Sequence, residues 1–163
     1  MPTTAKKDMY MKIDGVDGDS GDQAHQDWIE IEGLKHEVTH KGQDTADSAV
    51  QSDVQMSLLT VVKRLDRATP ILVNYCTIGK VVKEIKIELC RAMGDKTPYM
   101  SYTLSNCLIV SDIVDATATT DTGEAIPLEF VRIGFRRINW KYTPTPVAGG
   151  GKKNADVEFE HIF

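Results

Sequence analysis

The chain has 163 residues, of which 41% are hydrophobic and 26% charged, which suits one domain with a self-sufficient core and argues against wholesale disorder. Its net charge of −5 has the wrong sign for a domain whose bulk partner is nucleic acid. No stretch reaches the ~18 apolar residues of a membrane span, and the opening MPTTAKKDMYMKIDG lacks an apolar core and a small-residue cleavage site, so neither stable membrane insertion nor a cleavable signal peptide is expected.

Met9, Met11 and Ile13 alternate with Tyr10 and Lys12, the period-two pattern of a first strand. Residues 14–22, DGVDGDSGD, have turn composition. Trp28 to Val38 returns as a strand, with Ile29 and Ile31 set between Glu30 and Glu32. Residues 39–53, THKGQDTADSAVQSD, read as an extended polar loop, a length that in compact domains usually binds something or stays mobile. Val54 to Leu65 is a long strand, followed by a helix over 69–78. Thr69 is placed at the N-cap, Pro70 at the first helical position, and Gly79 at the left-handed stop, with Lys80 beside the last carbonyls.

Beyond the helix, Glu84 to Arg91 alternates, with Ile85, Ile87 and Leu89 inward and Lys86, Glu88 and Cys90 outward. Tyr99 to Val114, rich in β-branched and aromatic residues, is a long strand, and 115–124 is a second polar loop. Ile126 to Tyr142 reads as one long strand with apolar groups on both faces. Residues 143–154, with GGGKKN at 149–154, are a flexible connector, and Asp156 to Phe163 is a small amphipathic strand. The expected fold is therefore mainly β, in one domain over 1–163: a small barrel or sandwich of about seven strands with one flanking α-helix.

Catalytic and metal motifs are weak. His36 and His40 are four apart in a stretch read as strand running into loop, which places them roughly 13 Å apart rather than side by side. With His25 and His161 they are expected to be solvated or interfacial, and no metal is assigned. Asp14, Asp17, Asp19 and Asp22 lack the glutamate that a calcium loop needs at its twelfth position, so a solvated acidic turn is expected. No G-x-S-x-G is present, and no cysteine sits beside a recognisable base. Cys76, Cys90 and Cys107 are odd in number and without CxxC spacing, reading as packed small hydrophobes of a protein that folds in a reducing compartment. Arg132, Arg136, Arg137 and Lys141 are interleaved with Phe135, Trp140 and Tyr142. That pattern could stack a single strand of nucleic acid, but the stronger reading is a face that meets acidic groups of a neighbouring protomer. No cofactor is expected.

The order of these elements resembles the haemolysin-coregulated protein (Hcp) family of the type VI secretion system. The stretches that carry the resemblance are MYMKIDGVDGDSGDQAHQDWIEI, VQMSLLTVVKRLDRATPILVNYCTIGK and IPLEFVRIGFRRINWKYTP. The junction Lys63, Asp66, Thr69, Pro70, a K-x-x-D-x-x-T/S-P signature, is the most specific part. The resemblance implies a β-barrel protomer with a flanking helix that forms hexameric rings, which stack into a secreted tube. Spike protein, sheath proteins and secreted effectors are the partners it implies, with no enzyme activity. It also implies a protein that is cytoplasmic before assembly and then exported. Open sheet edges and long polar loops are natural places for copies to grip one another. The expected subunit or ring contacts are His40, Gln43, Asp44, Asp53, Asp121, Arg132, Arg136, Arg137, Lys152 and Lys153. Rival readings are a monomeric ligand-binding β-barrel, which predicts an apolar cavity, a phage-type tail-tube protein, and, with least support, a hydrolase.

Overall fold

A computed structural model of the chain describes residues 8–41, 53–92, 96–117, 123, 127–144 and 155–163, with the side chains of 41 and 53 excepted. Ten strands and one helix are found there. In chain order they are β1 (Asp8–Ile13), β2 (Ile29–Lys35), β3 (Val38–Lys41), β4 (Asp53–Met56), β5 (Leu59–Arg64), α1 (Thr69–Ile78), β6 (Val81–Cys90), β7 (Pro98–Asp115), β8 (Leu128–Gly134), β9 (Arg137–Tyr142) and β10 (Val157–Ile162). Antiparallel pairings run β1–β2–β5–β8–β7–β6 and return to β1. Six strands thus close a barrel, and closure removes the open edges a flat sheet would leave.

The barrel interior is filled by the side chains that the alternation predicts. Met11, Ile13, Ile29, Ile31, Leu59, Val61, Ile85, Ile87, Leu104, Val131 and Ile133 are all essentially inaccessible. An apolar cavity running through the barrel, as a small-molecule carrier needs, is therefore absent among the described residues.

The expected strand 99–114 is one strand, β7, but three other expected strands, 28–38, 54–65 and 126–142, each divide or run into another. The stretch 28–38 ends as β2 at Lys35, and 38–41 pairs instead with 53–56 in a separate two-stranded hairpin, β3–β4. Residues 39–41 and 53, expected in a loop, are therefore strand; 42–52 lie outside the described residues. Glu37 and Ser57 exchange bonds at the base of the hairpin, Ser57 N–H to the Glu37 carbonyl and Glu37 N–H to Ser57 Oγ, each 2.9 Å. That pairing explains the break between β4 and β5.

The expected 126–142 strand also divides, at Phe135–Arg136. Its inward set is Glu129, Val131 and Ile133 and then changes parity to Ile138. The cause lies on β7, whose eighteen residues serve two partners: 108–115 pair with β8 and 100–105 with β9. Between the two stretches Asn106 takes φ of +52°, a left-handed conformation that asparagine tolerates better than most residues. The bend at Asn106 on one strand is matched by the break on the other.

The helix spans Thr69–Ile78 as expected and stops at Gly79, with φ of 62° and its N–H on the Cys76 carbonyl. Two details differ. Ala68, not Thr69, holds the N-cap position, without a side-chain cap, because the Thr69 hydroxyl is engaged by buried charges described below. The Lys80 ammonium lies over the Tyr75 ring, 4.8 Å from its centre, rather than on the last carbonyls; its backbone N–H bonds the Tyr75 carbonyl instead. Ala68 and Leu72 are fully buried against the barrel. Register places α1 at the end formed by the close of β5 and the start of β8.

Candidate functional site

Under the helix the barrel ends in charge. Lys63 and Glu129 follow Val61 and precede Val131 on the inward faces of β5 and β8, and are directly opposed across the ladder. Both are 0% exposed. Lys63 Nζ lies 2.6 Å from Glu129 Oε2, 2.9 Å from Asp66 Oδ1, 2.9 Å from the Arg64 carbonyl and 3.1 Å from Thr69 Oγ1. The Thr69 hydroxyl donates to Glu129 Oε2 at 2.6 Å and accepts the Asp66 N–H at 3.1 Å. The K-x-x-D-x-x-T-P signature is thus a fastening: the strand lysine meets the turn aspartate, the threonine of the first helical turn and a glutamate of β8, and the threonine bonds that same glutamate. A buried ammonium is tolerable only when its protons are all taken, and here they are.

Asp112 joins this cluster through a bulge. The β7–β8 register slips between Ile109 and Ser111, and a one-residue slip exchanges the faces of a strand. Ile109 is buried before the slip; after it Ile113 is exposed and Asp112 turns inward. Both Asp112 carboxylate oxygens and Oε1 of Glu129 are buried with no other donor among the described residues. Burial, reinforced by the neighbouring Glu129, pushes Asp112 up to about 7 from its ordinary 3.8. A proton held on Asp112 is the donor those oxygens lack. Below 3.8 the native and unfolded chains both hold this proton; from there to about 7 only the native chain does, so stability falls as pH rises across that interval. Thermal unfolding between about pH 5 and pH 8 should show that decline in the wild type, and Asp112→Asn should flatten it. Equal slopes in the two proteins would contradict the assignment.

A second polar cluster lies on the barrel's outer wall. The 14–22 turn is not simply solvated. Gly18 N–H bonds the Asp27 carbonyl at 2.8 Å and Ser20 N–H the Trp28 carbonyl at 3.0 Å, folding the segment back on itself. A Cβ at Gly18 would stand 2.5 Å from the Trp28 carbonyl oxygen, so only glycine fits. This places His25, expected on the surface, in a buried slot where it stacks on Tyr10 with ring centres 4.2 Å apart. Its Nδ1 is 2.9 Å from Asp22 Oδ2 and its Nε2 is 2.7 Å from Glu88 Oε2. Lys96 Nζ bonds Asp22 at 2.7 Å; that bond first, and His25 second, hold the Asp22 carboxyl down at about 2.

Glu88, expected to face out, and Cys90, expected on the outward side but packed, are both buried because this loop covers the outward side of β6. Cys90 Sγ lies 3.7 Å from His25 Nε2, so one cysteine does sit beside a base. It is not an activated nucleophile: burial, helped by the Glu88 charge, pushes the thiol up to about 12. Cys107 is likewise raised to about 12 by burial, and all three cysteines are free.

The expected contact residues are scattered over the outside. His40 is exposed on β3, and Asp53 opens β4 opposite Lys41. Arg132 and Arg136 are exposed, on β8 and at the β8–β9 break. Arg137 is exposed on β9 but reaches Glu160 of β10 at 3.6 Å, and Lys141 reaches Asp156 at 3.3 Å. Part of the acid expected from a neighbour is therefore supplied by the chain's own last strand. Gln43, Asp44, Asp121, Lys152 and Lys153 lie outside the described residues. The tail 149–163, a further expected contact, contains β10, which among the described residues pairs only with β9 and ends the sheet. Val157 is 65% exposed, Phe159 66% and Ile162 58%. At the barrel end away from α1, an open cavity of about 920 Å³ is lined by residues including His36, Tyr99, Tyr102 and Trp140.

These features define a class: a filled β-barrel, fastened to one helix, whose unspent apolar surface lies on an outer sheet edge and whose buried polar groups are occupied with one another. Residues 10–142 match the family model described as "Type VI secretion system effector, Hcp", and the chain belongs to the Hcp family of the type VI secretion system. It is 26% identical over 154 residues to protein hcp1 of Pseudomonas aeruginosa, covering 93% of this chain and 92% of that one. It is 26% identical over 137 residues to the major exported protein of the same organism, covering 81% and 78%. A solved type six secretion system protein superposes with a TM-score of 0.79 at 25% identity, over 93% of this chain and 92% of the other. Membership makes this a structural, secreted type of protein and not an enzyme. No described helix is long and apolar enough to cross a membrane.

Proposed function

We propose that the chain is a tube-forming protomer of a type VI secretion system. Copies close head to tail into homo-hexameric rings, and rings stack into a hollow tube. The tube assembles in the cytoplasm, is exported, meets the spike and sheath proteins, and carries effectors in its lumen. The observation that carries this reading is β10: an edge strand with Val157, Phe159 and Ile162 more than half exposed. Such an edge is a pairing template, and apolar groups clustered on it favour burial against another protein surface. A contact between unlike surfaces closes into a ring when its rotation permits. The hairpin β3–β4 and the polar stretches 39–53 and 115–124 are the proposed ring-to-ring grips, with Gln43, Asp44 and Asp121 among their contacts and Lys152 and Lys153 in the connector before β10.

Electron microscopy and light scattering of the purified full chain test this. Annular particles with a mass several-fold above the 18.1 kDa protomer are expected. A strictly monomeric species at high concentration would overturn the reading.

A further inference from the structure

We propose that His25, Glu88 and Cys90 form a binding site for a divalent transition-metal ion, Zn²⁺ in the first place, on the outer wall of the barrel. The three side chains are buried, and their ligand atoms all lie within 4.8 Å of one another. They come from a loop and a strand 63 residues apart in sequence, brought together by the fold-back at Gly18. Zinc bound tetrahedrally, with Zn–S near 2.3 Å and Zn–N near 2.0 Å, sets sulfur and nitrogen about 3.5 Å apart; Cys90 Sγ and His25 Nε2 are at 3.7 Å. The carboxylate oxygen is closer to the nitrogen, at 2.7 Å, and has to withdraw by roughly half an ångström when a metal replaces the shared proton.

The surroundings suit such an ion. Asp22 holds Nδ1 of His25 at 2.9 Å, the carboxylate–histidine arrangement that aims the other nitrogen at a metal. Lys86 occupies Oε1 of Glu88 at 2.9 Å, leaving Oε2 for the site. Lys96 bonds Asp22 and sits 3.9 Å from Asp8, so that cation is spent on carboxylates that are not ligands. One sulfur, one imidazole nitrogen and one carboxylate oxygen select zinc-like ions over magnesium or calcium. Binding is balanced as an exchange: the metal displaces the proton between Nε2 and Oε2 and the proton of the Cys90 thiol, and both leave to solvent. Three protein donors leave a fourth position for water.

The test uses untagged full-length protein, stripped with a chelator and titrated with Co²⁺. One ion per chain is expected, with a thiolate-to-cobalt charge-transfer band in the near ultraviolet that Zn²⁺ abolishes. Cys90→Ala should lose the band, Cys76→Ala should keep it, and Asp22→Asn should weaken Zn²⁺ binding on the order of 10–100-fold. A folded wild type that develops no such band overturns the proposal without any variant. So does a band that survives Cys90→Ala.

Discussion

Lys63→Met is expected to destabilise the protein by about 3–5 kcal/mol, the usual effect of leaving one member of a buried ion pair without its partner. For a chain of this size that is a fall on the order of 10 °C in Tm. The reason is local and specific. Glu129 is fully inaccessible, and Lys63 supplies a charged contact at 2.6 Å to its Oε2. Only the neutral donors of Thr69 and protonated Asp112 would remain to hold it, and the helix would lose the ammonium that gathers Asp66 and Thr69 beneath its first turn. The double variant Lys63→Met, Glu129→Met should recover most of the loss, because two apolar side chains can fill the same barrel end without a desolvated charge. Chemical denaturation of the three proteins decides the matter. A single variant within 1 kcal/mol of wild type would show that the pair contributes little.

Phe159→Asp is expected to abolish ring assembly while leaving the protomer folded. Phe159 is 66% exposed and lies on a strand bonded on one side only, so the protomer's own core loses little. Its ring stands 6.1 Å from Trp140, and that pair is a natural aromatic anchor for a partner surface. Loss of such an anchor typically costs 2 kcal/mol or more, about a thirtyfold weakening at each interface, and a closed ring multiplies the effect over its contacts. Sedimentation or light scattering should find 18.1 kDa protomers under conditions where the wild type gives the proposed rings, with an unchanged far-ultraviolet spectrum. Rings formed equally well by the variant would remove β10 from the interface.

The two predictions draw on residues of opposite legibility. Lys63, Asp66, Thr69 and Pro70 stand out in the sequence as a signature with a helix behind it, yet Glu129, which Lys63 and Thr69 both bond, does not. It lies sixty-six residues from Lys63, and only the β5–β8 register brings it opposite. Asp112 was harder still. Its inward direction depends on a bulge at 109–111 that no local pattern announces. The sequence suggests a solvated or interfacial His25, whereas a backbone fold-back at Gly18 seats it on Tyr10. Glu88 and Cys90 both follow the alternation outward; a covering loop makes that face of the barrel strand a packed one, which the sequence indicates for Cys90 but not for Glu88.

Local chemistry determined the one helix, its glycine stop, the alternating core of β1, β5 and β6 and the overall β character, because each depends on residues within a turn or a few pleats of one another. Barrel closure, the division of three long apolar stretches and the two buried polar clusters were decided only in three dimensions. Each depends on which strands become neighbours and in what register, and a β-sheet draws those partners from distant parts of the chain, where no short-range periodicity carries the information.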